Sequence, residues 1–151
     1  MTEIYVDADA CPVKDEAYVV ATRYGLGVVV VANARMSVPS ELGVELVVVD
    51  DGPDAADDWI AAHAEPGDIV VTADIPLAAR CLDAGALVVG SDGRPFTEHS
   101  IGAALATRDL KAHLRESGAF SGGPRPLSER DRSRFLSALD QAVQQSRRRP
   151  R

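Results

Sequence analysis

The sequence predicts an α/β fold of three layers, in which a parallel central sheet of about five strands has helices on both faces. Five short apolar runs, most of them rich in valine, are typical of strands that are buried on both sides. Helical segments separate most of these runs, and such alternation gives right-handed crossovers and a parallel sheet. The alternation ends near residue 96, and two further helices are expected after it.

The predicted strands are short and are bounded by residues typical of turns. Gly25 and Gly27 precede the second strand, the run 50–53 (Asp-Asp-Gly-Pro) ends the third, and the Pro66-Gly67 pair precedes the fourth. Strands are therefore placed at residues 3–6, 28–32, 44–49, 68–72 and 86–89.

Each predicted helix is marked at its start or its end. Pro12 suits a first turn, Asp54 and Thr97 are placed as N-caps, and Ser128 with Asp131 makes a variant capping box. Helices are placed at 13–24, from 54 to the Pro66-Gly67 stop, from about 75 to 82 or 83, from 97 to 118 and from 128 to about 145. Their apolar positions include Ile101, Leu105, Leu110 and Leu114 in the fourth helix and Phe135, Leu136, Leu139 and Val143 in the last.

The length of 151 residues suits one domain with its own core. We expect a single domain over residues 1–146, with a core at 1–96 and a C-terminal helical extension at 97–146. The arginine-rich residues 147–151 are expected to be a disordered basic tail. Hydrophobic residues make up 46% and charged residues 26%, which is ordinary for a globular protein and excludes a disordered chain.

Composition also limits the location and the cysteine chemistry. No apolar run approaches the roughly 18 residues that span a bilayer, and the N-terminus has acidic residues where a signal peptide has basic ones. We therefore expect a cytoplasmic protein that does not bind membranes. Cys11 and Cys81 form no zinc or disulfide pattern, so both are expected to be buried thiols.

Charge is divided unevenly along the chain. Residues 1–107 hold 5 Lys and Arg against 18 Asp and Glu, whereas residues 108–151 hold 11 against 5. An acidic body with a basic extension suits a metal site beside a phosphate-binding surface. The candidates for contacts with a nucleic-acid backbone are Arg108, Lys111, Arg115, Arg125, Arg130 and Arg132.

Aspartates follow the carboxyl ends of four predicted strands, the place where ligands bind in open α/β sheets. They are Asp7, Asp9, Asp54, Asp57, Asp58, Asp74 and Asp92. Asp7 and Asp9 would point to the same side of an extended segment and repel each other unless they share a proton or a cation. Asp9 has an alternative role as a simple helix N-cap.

Hard divalent cations remove the electrostatic cost of gathered carboxylates, so Mg²⁺ or Mn²⁺ is the expected cofactor. Such ions can also activate water for phosphodiester cleavage. In the middle group Asp54 and Asp58 are preferred, because they share a helix face one turn apart, and Asp57 comes next. The predicted metal ligands are Asp7, Asp54, Asp58, Asp74 and Asp92.

Four stretches resemble the YaiI/YqxD family of bacterial proteins. They are DADACPVK at 7–14, DGPDAADDWI at 51–60, VVTADIPLA at 70–78, and RDLKAHLRESG with GGPRPLSERDRSRF within 108–135. The members of this family are similar to PIN-like domains, which are metal-dependent ribonucleases with a parallel sheet and an acidic pocket. Thr72, two residues before Asp74, resembles a PIN-like pattern, and Asp7 occupies the place of the first PIN acid.

The resemblance implies a metal-dependent nuclease that acts on nucleic acid, RNA in preference to DNA. Asp7 and Asp74 would bind the metal directly, while Asp9 and Asp58 would hold metal-bound water or act as general base. Thr72 would orient a carboxylate or a water molecule.

The role of Lys14 is left open, and so are two alternative functions of the protein. Lys14 is placed to meet a scissile phosphate as a point charge, or else is an ordinary exposed helix lysine. A haloacid-dehalogenase-like phosphatase would use Asp7 as nucleophile, although Cys11 stands where that pattern has Thr or Val. The other rival is a nucleic-acid-binding module without catalysis, and the oligomeric state is not predicted.

Overall fold

A computed structural model of the chain describes residues 2–8, 12–39, 42–50, 52, 54–116 and 127–148, except for the side chains of residues 111, 112 and 114–116. The strands are β1 (Glu3–Asp7), β2 (Gly27–Ala32), β3 (Val44–Val48), β4 (Ile69–Val71), β5 (Leu87–Val89) and β6 (Pro95–Phe96). The helices are α1 (Lys14–Tyr24), α2 (Ala55–His63), α3 (Ile75–Asp83), α4 (Glu98–Glu116) and α5 (Glu129–Arg148).

The strands form one sheet in the order β3-β2-β1-β4-β5-β6. The first five are parallel, and only β6 runs antiparallel, against β5. The chain first adds β2 and β3 on one side of β1. It then adds β4, β5 and β6 on the other side. The boundary between β1 and β4 is therefore a topological switch point, where the carboxyl ends of strands leave a crevice for a ligand.

Helices cover both faces of the sheet. On one face α1, α5 and the N-cap residue of α1 cover a core that includes alternate residues of the strands. Val13, Val20, Phe135 and Leu139 belong to this core. On the other face α2 and α3 supply a second core, which includes Ile60, Leu77 and Cys81. The predicted three-layer α/β fold is confirmed, because helices pack on both faces of the sheet. The valine-rich strands are therefore buried on both sides.

Two of the predicted caps are found at the starts of the C-terminal helices α4 and α5. The backbone N–H of Ser100 donates to Thr97 Oγ1 at 3.0 Å, so Thr97 caps α4 as expected. The N–H of Asp131 donates to Ser128 Oγ at 3.2 Å, and the N–H of Ser128 donates to Asp131 Oδ2 at 3.1 Å. The predicted capping box at the start of α5 is therefore confirmed.

Two expectations for the C-terminal part need correction. The segment of β6 was expected to be loop, since a strand of two residues has no detectable period. Leu110, an apolar position of the predicted fourth helix, is 58% exposed. The helix α5 continues to Arg148, and the Arg147 guanidinium lies 5.5 Å from the centre of the Tyr24 ring, so residues 147 and 148 are not a disordered tail. Residues 149–151 lie outside the described part of the chain.

Within the described ranges, none of the helices combines the length and the apolar composition needed to cross a membrane.

Candidate active site

A hydrogen-bonded chain joins Asp7, Thr72 and Asp74 at the switch point. Asp7 ends β1 and is only 4% exposed, and Thr72 directly follows the neighbouring strand β4. The Thr72 hydroxyl donates to Asp7 Oδ2 at 2.9 Å. The same hydroxyl oxygen accepts from the backbone N–H of Asp74 at 2.9 Å. Thr72 therefore connects the carboxylate of Asp7 to the backbone of Asp74, the two aspartates that the sequence places after β1 and β4.

The start of α3 fixes the position of Asp74. Asp74 is the N-cap residue, and its Oδ1 accepts from the backbone N–H of Leu77 at 2.9 Å. Pro76 follows within the first turn, where the missing N–H of proline leaves no bond unmade. An N-cap carboxylate also gains from the positive end of the helix dipole. The Asp74 carboxyl group is thus held at the start of α3.

Asp57 is the third carboxyl group of the cluster. Its pKa is raised to about 6, first by burial and then by the negative charges of Asp74, Asp7 and Asp54, in that order. A hydrogen-bonding contact with the Asp74 carboxyl group raises the pKa further. The gathered negative charge therefore favours a proton on Asp57, because a carboxyl group near other carboxylates resists ionisation.

The donor chemistry of Asp7, Asp57 and Asp74 fits a hard divalent cation. Carboxylate oxygens are the preferred ligands of Mg²⁺ and Mn²⁺, and the pKa of Asp57 records negative charge that such an ion would neutralise. In the ranges that the structure describes, no three His, Cys, Asp or Glu side chains are yet close enough to hold one metal together. Ion binding would therefore need the side chains to converge, with the proton on Asp57 displaced.

Asp54 and Asp58 were preferred to Asp57 as metal ligands, but it is Asp57 that is under the charge of Asp7 and Asp74. Asp58 is exposed, and its Oδ1 accepts from Arg80 Nη1 at 2.8 Å. Asp54 is exposed and contributes a weaker charge effect on Asp57 than Asp7 or Asp74. The residue at the cluster is Asp57, which the sequence ranked third because one residue changes the direction of a helix side chain by about 100°.

Asp92, another predicted metal ligand, takes part in a turn. Asp92 Oδ1 accepts from the backbone N–H of Arg94 at 3.1 Å in the turn between β5 and β6, so its observed role is in the turn. Asp9 lies outside the described residues, as does Cys11. The other cysteine, Cys81, is fully buried, and burial raises its pKa to about 12, so it is the unreactive thiol that was expected.

Lys14 begins α1 and lines a groove between that helix and the segment that follows β2. The groove has a volume of about 860 Å³, and Tyr18, Val38 and Leu42 are among its mostly apolar lining residues. None of the three clustered carboxyl groups lines this groove. The prediction that Lys14 contacts a scissile phosphate stays a prediction.

The predicted basic surface is described only in part. Arg108 and Arg130 are exposed, which suits contact with a nucleic-acid backbone. Lys111 and Arg115 lie in α4, but their side chains are outside the described part, and Arg125 is outside it altogether.

Arg132 makes hydrogen bonds within the chain, and its predicted contact with a nucleic-acid backbone stays a prediction. Its Nη1 donates to the backbone carbonyl of Pro12 at 3.1 Å and to Glu16 Oε1 at 3.2 Å. These bonds join α5 to the start of α1, directly after the first aspartate motif. Arg132 is therefore an intramolecular tie, which the sequence could not reveal because 116 residues separate it from Glu16.

Comparison with known proteins identifies the family. A sequence profile described as "Uncharacterized BCR, YaiI/YqxD family" matches residues 5–145. The chain belongs to the YaiI/YqxD family. It is 61% identical over 150 residues to a UPF0178 protein of Parvibaculum lavamentivorans and 59% identical over 148 residues to one of Paramagnetospirillum magneticum. These alignments cover 99% and 98% of both chains, respectively.

A third YaiI/YqxD relative, a UPF0178 protein of Bradyrhizobium diazoefficiens, is 57% identical over 148 residues, which cover 98% of this chain and 89% of the relative. No solved structure matches the chain. The expected similarity to PIN-like nucleases therefore stays a prediction, whereas membership of the YaiI/YqxD family is confirmed.

The geometry disfavours the phosphatase alternative for this family member. A nucleophilic aspartate must present an oxygen to the substrate phosphorus. Asp7 is 4% exposed, and one of its oxygens accepts the Thr72 hydroxyl. Asp7 is therefore better placed to remain a buried negative charge than to attack the phosphorus of a substrate.

Proposed function

We propose that this YaiI/YqxD protein is a metal-dependent phosphodiesterase that cleaves nucleic acid, with RNA as the preferred substrate. The observation that carries the proposal is the pair of Thr72 hydrogen bonds that joins Asp7 to the backbone of Asp74 at the switch point of the sheet, with the Asp57 carboxyl group under the charge of both aspartates. Asp7 and Asp74 follow adjacent strands at the edge where α/β enzymes bind their ligands, and their charges act on Asp57 in α2.

Each residue of the cluster has a distinct role in the proposed reaction. Asp7 and Asp74 would hold Mg²⁺ or Mn²⁺, and Thr72 would keep their relative position through its two hydrogen bonds. When bound, such an ion supplies Lewis acidity toward phosphate oxygens and makes water a stronger acid. Asp57, whose carboxyl group is under the charge of Asp7 and Asp74, suits the role of general base, because its carboxylate can accept a proton once a bound ion has displaced its own.

The substrate class follows from charge. The exposed Arg108 and Arg130 belong to the basic C-terminal part of the chain, and phosphate contacts by such residues position a nucleic acid without reading its sequence. Aromatic residues make up only 5% of the chain, which gives little means of stacking bases. We therefore infer a nuclease with weak sequence preference.

The test offers pooled RNA and DNA oligonucleotides, with Mg²⁺ or Mn²⁺, to the wild type and to three variants. Asp74→Asn and Asp57→Asn should each reduce cleavage by at least about 100-fold, and asparagine at position 74 keeps the N-cap of α3. The matched control is Asp58→Asn, one residue from Asp57 but paired with Arg80 on the surface, and it should retain activity within about threefold of the wild type.

Two outcomes would contradict the proposal. Equal cleavage by all four proteins would point to a contaminating nuclease. A metal-dependent complex with RNA that shows no turnover and tolerates Asp74→Asn would favour a binding module instead.

A further inference from the structure

The two edges of the sheet differ in how they are protected. At one edge β6 has only two residues and begins with Pro95, which has no N–H to offer. At the other edge β3 has five residues, VELVV, with no proline, glycine or lysine. In the described part of the chain β3 pairs with β2 alone. Proteins usually blunt such an edge, because an apolar open strand is a template for another strand.

The outward hydrogen-bonding groups of β3 can be assigned from its pairing with β2. The N–H of Val49, just after β3, donates to the carbonyl of Ala32 at 2.9 Å, so this residue points toward β2. Backbone groups alternate in direction along a strand. The N–H and C=O groups of Val44, Leu46 and Val48 therefore point away from the sheet, toward the open edge.

Exposed apolar side chains accompany this edge. Val48 is 46% exposed in the last position of β3, and Leu42 is 43% exposed just before the strand begins. Single exposed apolar residues are common on protein surfaces. Here, however, they lie at both ends of a row of backbone donors and acceptors that face away from β2 and make no strand pairing within the described residues.

We propose that β3 is the surface through which two copies of this chain associate, as antiparallel strands across a two-fold axis. A second copy is the fitting occupant because the strand is complementary to itself. With the axis at Leu46, Val44 lies opposite Val48 of the other copy, and Glu45 lies opposite Val47. No like charges meet, and the outward backbone groups of positions 44, 46 and 48 face each other as hydrogen-bonding pairs.

The experiment measures the mass of the full chain by sedimentation equilibrium over a range of concentrations. The wild type should reach twice the 16.0 kDa of one chain. Val48→Pro removes an outward N–H at an edge position that tolerates proline, and Val48→Lys places a charge at the same exposed site. Each variant should raise the dimer dissociation constant at least tenfold. The matched control is Leu110→Lys, because Leu110 is 58% exposed on α4, away from β3.

Circular dichroism tests whether each variant is folded. If Val48→Pro does not fold, Val48→Lys alone provides the test of the edge. Weakened dimers for the Val48 variants, with an intact dimer for Leu110→Lys, would support the proposal. A wild type that stays monomeric at millimolar concentration would overturn it, and so would a dimer that both Val48 variants leave unchanged. A monomer that binds a strand from another protein would equally overturn it.

Discussion

The hydroxyl of Thr72 donates to Asp7 Oδ2 over 2.9 Å and so joins the ends of two neighbouring parallel strands. Both residues are buried, with Thr72 fully so. A buried carboxylate is costly unless hydrogen bonds compensate it. The bond therefore contributes to the stability of the fold while it holds one oxygen of Asp7 at the candidate site.

Replacing Thr72 by valine keeps the shape of the side chain and removes its hydroxyl. We expect Thr72→Val to lower the free energy of unfolding by about 1–3 kcal/mol, because Asp7 loses a donor and the N–H of Asp74 loses an acceptor. Urea denaturation measures the change. Thr72→Ser retains the hydroxyl and should lose much less, and a valine variant as stable as the wild type would contradict the importance of the bond.

Asp57 should make stability depend on pH. Its folded pKa of about 6 lies above the ordinary value of 3.8, so its stabilising contribution is complete below about pH 4 and is lost as the pH rises through about 6. A full shift of this size corresponds to about 3 kcal/mol, and solvent screening at a half-buried position reduces it to about 1 kcal/mol.

Asp57→Asn should therefore be more stable than the wild type at neutral pH by about 1 kcal/mol, with the advantage disappearing toward about pH 4. Urea titrations in the presence of a chelator measure this difference. Asp58→Asn, at the adjacent exposed position, should show no such trend. A constant difference between Asp57→Asn and the wild type at every pH would refute the raised pKa.

Gly93 allows the turn between β5 and β6 to pack against α5. Its φ is +86°, and an added Cβ would lie 2.7 Å from backbone atoms of Arg134 and Phe135. Gly93→Ala should therefore lower the free energy of unfolding by about 2 kcal/mol or more, through backbone strain and overpacking.

The matched substitution is Gly102→Ala, in α4, where an added Cβ meets nothing within 4 Å. It should stabilise the protein by about 0.5–1 kcal/mol, because alanine favours helix more than glycine does. Thermal or urea unfolding of both variants provides the comparison. Equal effects at the two positions would disagree with the packing of α5 on this turn.

Arg132 should matter for folding more than for nucleic-acid binding. Arg132→Ala removes the bonds to Pro12 and Glu16 and leaves the largely buried carboxylate of Glu16 without its cation. We expect a loss of about 1–2 kcal/mol in the free energy of unfolding, partly restored by adding Glu16→Gln. Arg130→Ala, at an exposed position on the same helix, should leave stability unchanged, and a comparable loss there would contradict the assignment.

Much of the fold could be predicted from the sequence, because local signals and tertiary packing agree. The valine-rich strands and the caps at Thr97 and Ser128 lie where the pattern placed them. Asp7, Thr72 and Asp74 could be brought together because the carboxyl ends of adjacent parallel strands must meet.

What could not be predicted depends on contacts between distant residues. Leu110 is one of the apolar positions of α4, but the packing of this helix leaves it exposed. Charge alone could not separate Arg108, which is exposed, from Arg132, which bonds to α1. The choice of Asp57 over Asp58 required the direction of each side chain, which differs by about 100° between adjacent helix positions.

We propose that a divalent cation bound by Asp7 and Asp74 displaces the proton that burial and neighbouring negative charges favour on Asp57. Calorimetric titration of the protein with Mn²⁺ near pH 6, in two buffers of different ionisation enthalpy, measures both binding and proton release. We predict one bound ion with release of part of a proton in the wild type, and binding at least tenfold weaker in Asp74→Asn. Mn²⁺ binding of equal strength in the wild type, Asp74→Asn and Asp57→Asn, or no binding to any of them, would contradict the claim.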